Sequence, residues 1–135
     1  MFVRFMSADH WQDGTNHGVR ISNPSWDQVR EAIQALDGKH KTMVGITDKE
    51  GSDHFMLIAG QWNGRCLVNA TKDNLNFFSL TDPAGSSNKR TLYVGGQDGE
   101  YEERKCVPLA WVLEAAEHFF ETGELKPTMN WASDC

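Results

Sequence analysis

The chain contains 135 residues, 39% of them hydrophobic and 24% charged, and it carries a formal net charge of −6. This length and composition indicate one globular domain over residues 1–135 and exclude a disordered segment. The acidic balance argues against a nucleic-acid partner, because a phosphate backbone repels it. No stretch approaches the roughly 18 consecutive apolar residues of a transmembrane helix, so no membrane partner is expected.

The first 23 residues are polar and rich in turn-forming residues, as in SADHWQDGTNHG. They predict irregular structure with a short strand at either end, and they contain no apolar run typical of a secretory signal. The three cysteines, Cys66, Cys106 and Cys135, are widely spaced and odd in number. They predict reduced thiols in a cytoplasmic protein rather than a disulfide framework or a zinc site.

The next segment predicts an amphipathic helix. Ser25 is followed by Gln28 three residues later, which forms a capping box just after Pro24. Asp37-Gly38 is expected to end the helix, because glycine adopts the left-handed conformation found at helix stops. Apolar residues at spacings of three and four share one face: Trp26, Val29, Ile33 and Leu36.

Residues 41–96 predict a succession of strands. The apolar runs are KTMVGIT, HFMLIAG, RCLVNAT, LNFFSL and TLYVGG. Asn63-Gly64 between the second and third runs is a strong hairpin signal. QDGEYEER, residues 97–104, is interpreted as a polar, acidic turn, and KCVPL as a last short strand. Strands at this spacing predict an antiparallel, meander-like sheet of about five to seven strands.

A second helix is predicted from about Pro108, since proline suits the first helical position, to a stop at Gly123. Glu114, Glu117 and Glu121 recur at spacings of three and four and share its outer face. The sequence therefore predicts an α+β fold in which two main helices pack on the antiparallel sheet.

No catalytic constellation and no cofactor motif appears. Cysteines inside strand patterns are typical of buried, inert thiols, and Gly95-Gly96 lacks the lysine of a phosphate loop. One alternative remains open, a small metal- or ligand-binding enzyme-like domain. Its candidate residues match no established metal spacing: Asp9, His10, Asp13 and His17.

Surface residues offer a different kind of site. Aromatic side chains beside a carboxylate-rich rim are typical of a protein interface, where Trp and Tyr act as anchors. The acidic face of the second helix is a fallback. The candidate partner-binding residues lie in the predicted turns: Trp62, Asp98, Glu100, Tyr101, Glu102 and Glu103.

The phrase LYVGGQDGEYEERKCVPLAWVLEAAEHFFETGELKPTMNW resembles the C-terminal half of the bacterial immunity protein 1 family. Upstream, PSWDQVREAIQALDGKHKT resembles its first helix, so the resemblance covers most of the chain from Pro24 onward. The matching positions include Gly95-Gly96-Gln97, Glu100-Tyr101, Val107-Pro108, Ala115-Ala116, Phe119, residues 122–125, Pro127 and Trp131.

This resemblance implies a non-enzymatic antitoxin in a polymorphic toxin system, the kind that serves bacterial competition. Proteins of the family accompany toxins that often carry a nucleic-acid deaminase domain. The implied partner is such a cognate toxin, neutralised by covering the basic surface that binds its nucleic-acid substrate. The family supplies no catalytic residues to transfer to this sequence.

Overall fold

The computed structural model describes residues 1–134 of the chain. They form two α-helices, α1 (Trp26–Gln34) and α2 (Leu109–Thr122), and a set of mostly short strands. In chain order the strands are β1 (Phe5–Ala8), β2 (Trp11–Gln12), β3 (Thr15–Asn16), β4 (Val19–Ser22), β5 (Met43–Thr47), β6 (Phe55–Trp62), β7 (Arg65–Thr71), β8 (Phe77–Leu80), β9 (Lys89–Val94), β10 (Gln97–Glu102), β11 (Cys106–Pro108) and β12 (Trp131–Ser133).

Within the described residues, eight strands form one antiparallel sheet in the order β12-β8-β7-β6-β5-β1-β4. The eighth, β11, pairs with the first half of β7, while β8 pairs with its second half. The strands β5 to β8 are a meander, so the predicted α+β fold with a meander-like sheet is confirmed. Two small hairpins, β2–β3 and β9–β10, stand outside this sheet.

Most local signals for turns and caps are confirmed. The Ser25 hydroxyl accepts a hydrogen bond from the backbone N–H of Gln28, whose side chain accepts one from the backbone N–H of Ser25. Asn63 and Gly64 have φ of +54° and +75°, the left-handed pair that a two-residue type I′ turn requires. At the end of α2, Gly123 is left-handed with φ of +73°.

The predicted end of the first helix at Asp37-Gly38 is wrong. The helix ends at Gln34 with Ala35 as its C-cap. Gly38, with φ of +72°, belongs to the following turn, in which the backbone N–H groups of Asp37 and Gly38 donate hydrogen bonds to the backbone oxygen of Lys41.

The interpretation of residues 97–104 as a turn is wrong for most of that segment. Gln97 to Glu102 form β10, which pairs with β9 along its whole length. The turn lies earlier, at Gly95 and Gly96, where φ is +60° and +84°. Two left-handed residues reverse the chain tightly, so the acidic segment returns beside β9. The N-terminal segment has the expected strands β1 and β4, with the unpredicted β2–β3 hairpin between them.

The main core lies between the two helices and one face of the sheet. Alternate residues of the strands point to this face, and the apolar stripes of α1 and α2 cover it. The largest fully buried side chains include Met6, Ile33, Ile46, Met56, Ile58, Leu80, Phe119 and Phe120. No helix among residues 1–134 is long and apolar enough to cross a membrane.

The C-terminal segment adds a strand to the sheet edge. β12 pairs with β8, with Trp131 opposite Leu80. The Trp131 side chain packs against the main core, and its Nε1 donates a hydrogen bond of 3.0 Å to the backbone oxygen of Lys126. Trp131 therefore closes the end of the sheet.

The two type I′ turns provide a matched test of packing at Gly96. A Cβ at Gly64 would meet nothing within 4 Å, whereas one at Gly96 would lie 2.7 Å from Cε2 of Trp11. We expect Gly64→Ala to lower the free energy of unfolding by about 1 kcal/mol, the cost of left-handed φ alone. Gly96→Ala should cost at least about 1 kcal/mol more, because the indole must move. Urea unfolding of both variants measures the difference, and equal losses would contradict the packing role.

Candidate functional site

The β9–β10 hairpin lies on the face of the sheet that the helices leave uncovered. Its turn is joined to the sheet by the backbone N–H of Gly95, which donates a 3.0 Å hydrogen bond to Oγ1 of Thr42. The middle of the hairpin packs closely on β6. A Cβ added at Gly60 of β6 would lie only 3.2 Å from the Leu92 side chain of β9. This hairpin carries most of the predicted partner-binding residues.

The two predicted aromatic anchors, Trp62 of β6 and Tyr101 of β10, lie where this hairpin packs on the sheet. Trp62 and Tyr101 contact a small buried cluster of Leu67, Leu92 and Cys106. The guanidinium of Arg90 lies 3.8 Å from the centre of the Trp62 ring, a cation–π contact. Both aromatic rings are partly exposed. Their packing attaches the hairpin to the sheet. This structural role accounts for both aromatic side chains even if no partner protein binds them.

The predicted carboxylates divide between two situations. In the register of the hairpin, Tyr101 is opposite Arg90, so Asp98, Glu100 and Glu102 point to its other, outer face. Within residues 1–134, Asp98 and Glu100 make no hydrogen bond or ion pair through their side chains, and both are exposed. Glu102 pairs with Arg104 at 3.0 Å and Glu103 with Arg90 at 3.3 Å. Two uncommitted negative charges therefore remain on the outer face.

The metal-binding alternative is not compatible with the position of Asp9. Its buried carboxylate accepts hydrogen bonds from the backbone N–H groups of Thr42 (2.7 Å) and Met43 (2.8 Å), from Nε1 of Trp11 (2.8 Å) and from the Thr42 hydroxyl. Asp13 lies apart, at the exposed tip of the β2–β3 hairpin. No three His, Cys, Asp or Glu side chains within the described part of the chain are grouped to hold a metal.

Three of the four candidates line the same cleft. Asp9, His10 and His17, together with Glu31 of α1, border a cleft of about 470 Å³ between that helix and strands β1 and β4. The backbone N–H of His17 donates a 2.6 Å hydrogen bond to the backbone oxygen of His10, which closes the base of the β2–β3 hairpin. Asp13 does not border this cleft, and the Asp9 carboxylate is already used by internal hydrogen bonds, so the four candidates do not form one metal-binding group.

The two cysteines within the described residues are free and buried. Burial raises the pKa of the Cys66 thiol to about 12, and it also raises the pKa of Cys106. Because the thiolate is the reactive form, both thiols are poor nucleophiles at neutral pH.

The fallback surface, the outer face of α2, is on the opposite side of the molecule from the hairpin. Glu117 and Glu121 are exposed there, while Glu114 forms an ion pair of 2.7 Å with Lys126. The two candidate acidic surfaces are thus separated by the whole sheet and cannot belong to one small interface.

A further exposed feature was missed in the sequence. Next to the hairpin, the uncovered face of the sheet contains a concavity of about 720 Å³ whose apolar lining includes Phe5, Phe55 and Leu57. The run HFMLIAG gave a signal, since it lacks the polar residues at alternate positions that a solvent-facing strand usually has. We call this uncovered part of the sheet the open sheet face. Its outer row is Phe5, Thr47, Phe55, Thr71 and Phe77. The first three line the concavity, whose floor is Ser7, Gly45 and Leu57, and the row continues beyond it to Phe77.

Comparison with known proteins gives a family match. The family model described as immunity protein Imm1 matches residues 17–133, which is most of the chain. No curated protein matches the chain significantly.

Asp9→Asn tests the structural role of this carboxylate. The substitution keeps the shape but replaces one acceptor oxygen by a donor, which leaves buried N–H groups without a partner. We expect the free energy of unfolding to fall by about 2–4 kcal/mol. Asp13→Asn, at the exposed hairpin tip, should change it by less than about 0.5 kcal/mol. A metal site would instead make both variants unstable and make the melting temperature sensitive to EDTA.

Proposed function

The chain belongs to the Imm1 immunity protein family, and we propose that it neutralises a cognate toxin by stoichiometric binding rather than by catalysis. The family match over residues 17–133 carries this proposal. Inhibition by binding needs complementary shape and charge and no reaction centre. The use of Asp9 as an internal acceptor and the burial of both described thiols are consistent with that requirement.

The toxin is proposed to act on nucleic acid, with a deaminase as the first candidate. A toxin that binds nucleic acid presents a basic groove to its substrate. The net charge of −6 attracts such a groove over a distance, and Asp98 and Glu100 place uncommitted negative charge on the outer face of the hairpin. Complementary charge accelerates association and disfavours wrong partners.

The site of action is proposed to be the bacterial cytoplasm, where the nucleic acids of the producing cell are exposed to the toxin. The chain would protect the cell that makes the toxin from that toxin, and from the same toxin delivered by related competitors. Neither a nucleic acid nor a membrane is proposed as a partner. The acidic surface repels the phosphates of nucleic acids and the anionic lipids of membranes, and so weakens binding to both.

Co-expression tests the function directly. The chain is expressed with the toxin domain encoded immediately upstream, and survival is compared with and without it. We expect full rescue and a one-to-one complex that survives size-exclusion chromatography. Assays of cytidine or adenine deamination on the purified toxin then identify its activity. Toxicity that the chain neither relieves nor binds would refute the proposal.

A matched pair of charge reversals tests steering by the hairpin. We expect Asp98→Lys with Glu100→Lys to slow toxin association about 10-fold at low salt, with a smaller change in dissociation. Glu117→Lys with Glu121→Lys makes the same change in net charge on the opposite side of the sheet and should slow association much less. Stopped-flow measurements at several salt concentrations compare them, and equal effects would show that only net charge matters.

A further inference from the structure

The outer row of the open sheet face crosses five adjacent strands in exact register of their Cα positions. Phe5 of β1 is opposite Thr47 of β5, which is opposite Phe55 of β6. Phe55 is opposite Thr71 of β7, which is opposite Phe77 of β8. Phenylalanine and threonine therefore alternate along one row that faces away from the helices.

This composition is unusual for the outer face of a sheet, even though Thr47 and Thr71 are themselves buried. The solvent side of an antiparallel sheet normally carries polar side chains. Here three phenylalanines remain partly exposed, and the rings of Phe55 and Phe77 contact each other with centroids 6.2 Å apart. The β9–β10 hairpin covers the other end of the same face, around Leu67, but does not extend to this row.

Two loops hold the row in place: loop 48–54, which joins β5 to β6, and loop 72–76, which joins β7 to β8. The Thr47 hydroxyl donates a 2.7 Å hydrogen bond to the backbone oxygen of His54, at the end of loop 48–54. The Thr71 hydroxyl accepts a 2.9 Å hydrogen bond from the backbone N–H of Asn74, in loop 72–76. A surface that is ordered before binding loses little conformational entropy when a partner docks.

The same two loops supply a negatively charged rim. They contain four carboxylates, Asp48, Glu50, Asp53 and Asp73, and two lysines, one of which, Lys72, is paired with Glu124. The backbone N–H groups of Asn76 and Leu75 donate to Asp73 and hold its pKa well below the usual range. Glu50 forms an ion pair of 3.2 Å with Arg20 across the concavity. The rim keeps an excess of negative charge.

Loop 72–76 also presents an apolar side chain. Leu75 is 82% exposed, although its backbone is held by the hydrogen bond to Asp73. It lies two residues before Phe77, the first residue of β8. A partly exposed apolar centre with a charged rim is the usual anatomy of a protein interface.

We propose that the open sheet face is the anchoring surface for the cognate toxin, which packs apolar side chains onto Phe5, Phe55 and Phe77 while its basic groups meet the carboxylate rim. This inference rests on the immunity function proposed above. It identifies the residues that contribute most of the binding free energy in the interface with the toxin. The hairpin projects from the same side of the sheet, so its acidic outer face steers the partner that the phenylalanine row then holds.

Charge favours a toxin over a second copy of the chain as the occupant. A second copy of the chain carries the same acidic rim and the same net charge of −6, and like charges brought together in an interface disfavour association. A basic nucleic-acid-binding surface meets the same rim with complementary charge. The concavity of about 720 Å³ is large enough to receive several side chains of such a partner.

The test uses a variant that blocks the face without removing a core contact. Ser7 lies on the floor beside Gly45, so Ser7→Arg places a long charged side chain in the concavity. Gln34→Arg makes the same charge change at the exposed end of α1, on the helical side. A second variant, Phe55→Thr with Phe77→Thr, extends the threonines of the row and retains strand propensity. Circular dichroism and thermal unfolding confirm that each variant is folded.

Binding to the toxin domain encoded immediately upstream is measured by calorimetry. We expect the wild type and Gln34→Arg to bind alike, and Ser7→Arg and the double variant to raise Kd at least about 30-fold, the scale of an interface hot spot. If the wild type binds and both open-face variants bind within about 3-fold of it, this surface assignment is wrong while the immunity function stands. If the wild type does not bind, the proposed immunity function is wrong, and the surface assignment that rests on it is wrong as well. A wild-type dimer that Ser7→Arg dissociates without weakening toxin binding would assign the face to self-association instead.

Discussion

The buried carboxylate of Asp9 joins parts of the chain that are distant in sequence. It follows β1, yet it accepts hydrogen bonds from Thr42, 33 positions later, and from the Trp11 indole of the small hairpin. The Thr42 hydroxyl in turn accepts one from Gly95 at the β9–β10 turn. Since buried donors without a partner are costly, this network holds β1, β5 and both hairpins in one arrangement.

The arrangement gives the sheet two different sides. The helices bury most of one face, and the hairpin covers only one end of the other. This leaves a rigid, partly apolar surface bordered by carboxylates beside an acidic hairpin. A protein that inhibits by binding needs such a preformed surface more than it needs reactive groups. The family match and the geometry thus support the same kind of function from independent directions.

The elements that were predicted correctly depend on short-range signals. The capping box of Ser25 and Gln28, the Asn63-Gly64 turn and the Gly123 stop each involve neighbours a few residues apart. The acidic segment after Gly96 was misinterpreted because its composition resembles that of a loop. Pairing with β9 compensates for its low strand propensity, and such pairing depends on tertiary context.

The candidate site shows the same division. Composition correctly indicated an acidic surface near Asp98 and Glu100. It could not show that Glu103 forms an ion pair with Arg90, or that the Arg90 guanidinium lies over the ring of Trp62. Asp9 resembled a metal ligand as long as its partner Thr42 was unknown. Trp131 lay in a polar segment, and only its pairing with β8 revealed its structural role.

The sequence by itself determined the family, the two helices, the tight turns and the acidic character, because local spacing and composition encode them. Only the tertiary structure decided which side chains share a surface. Phe5, Phe55 and Phe77 form one row because four strand pairings set their register. Alternation along a strand separates its residues into two faces, but strand order and the packing of the hairpin determine which of those faces stays uncovered.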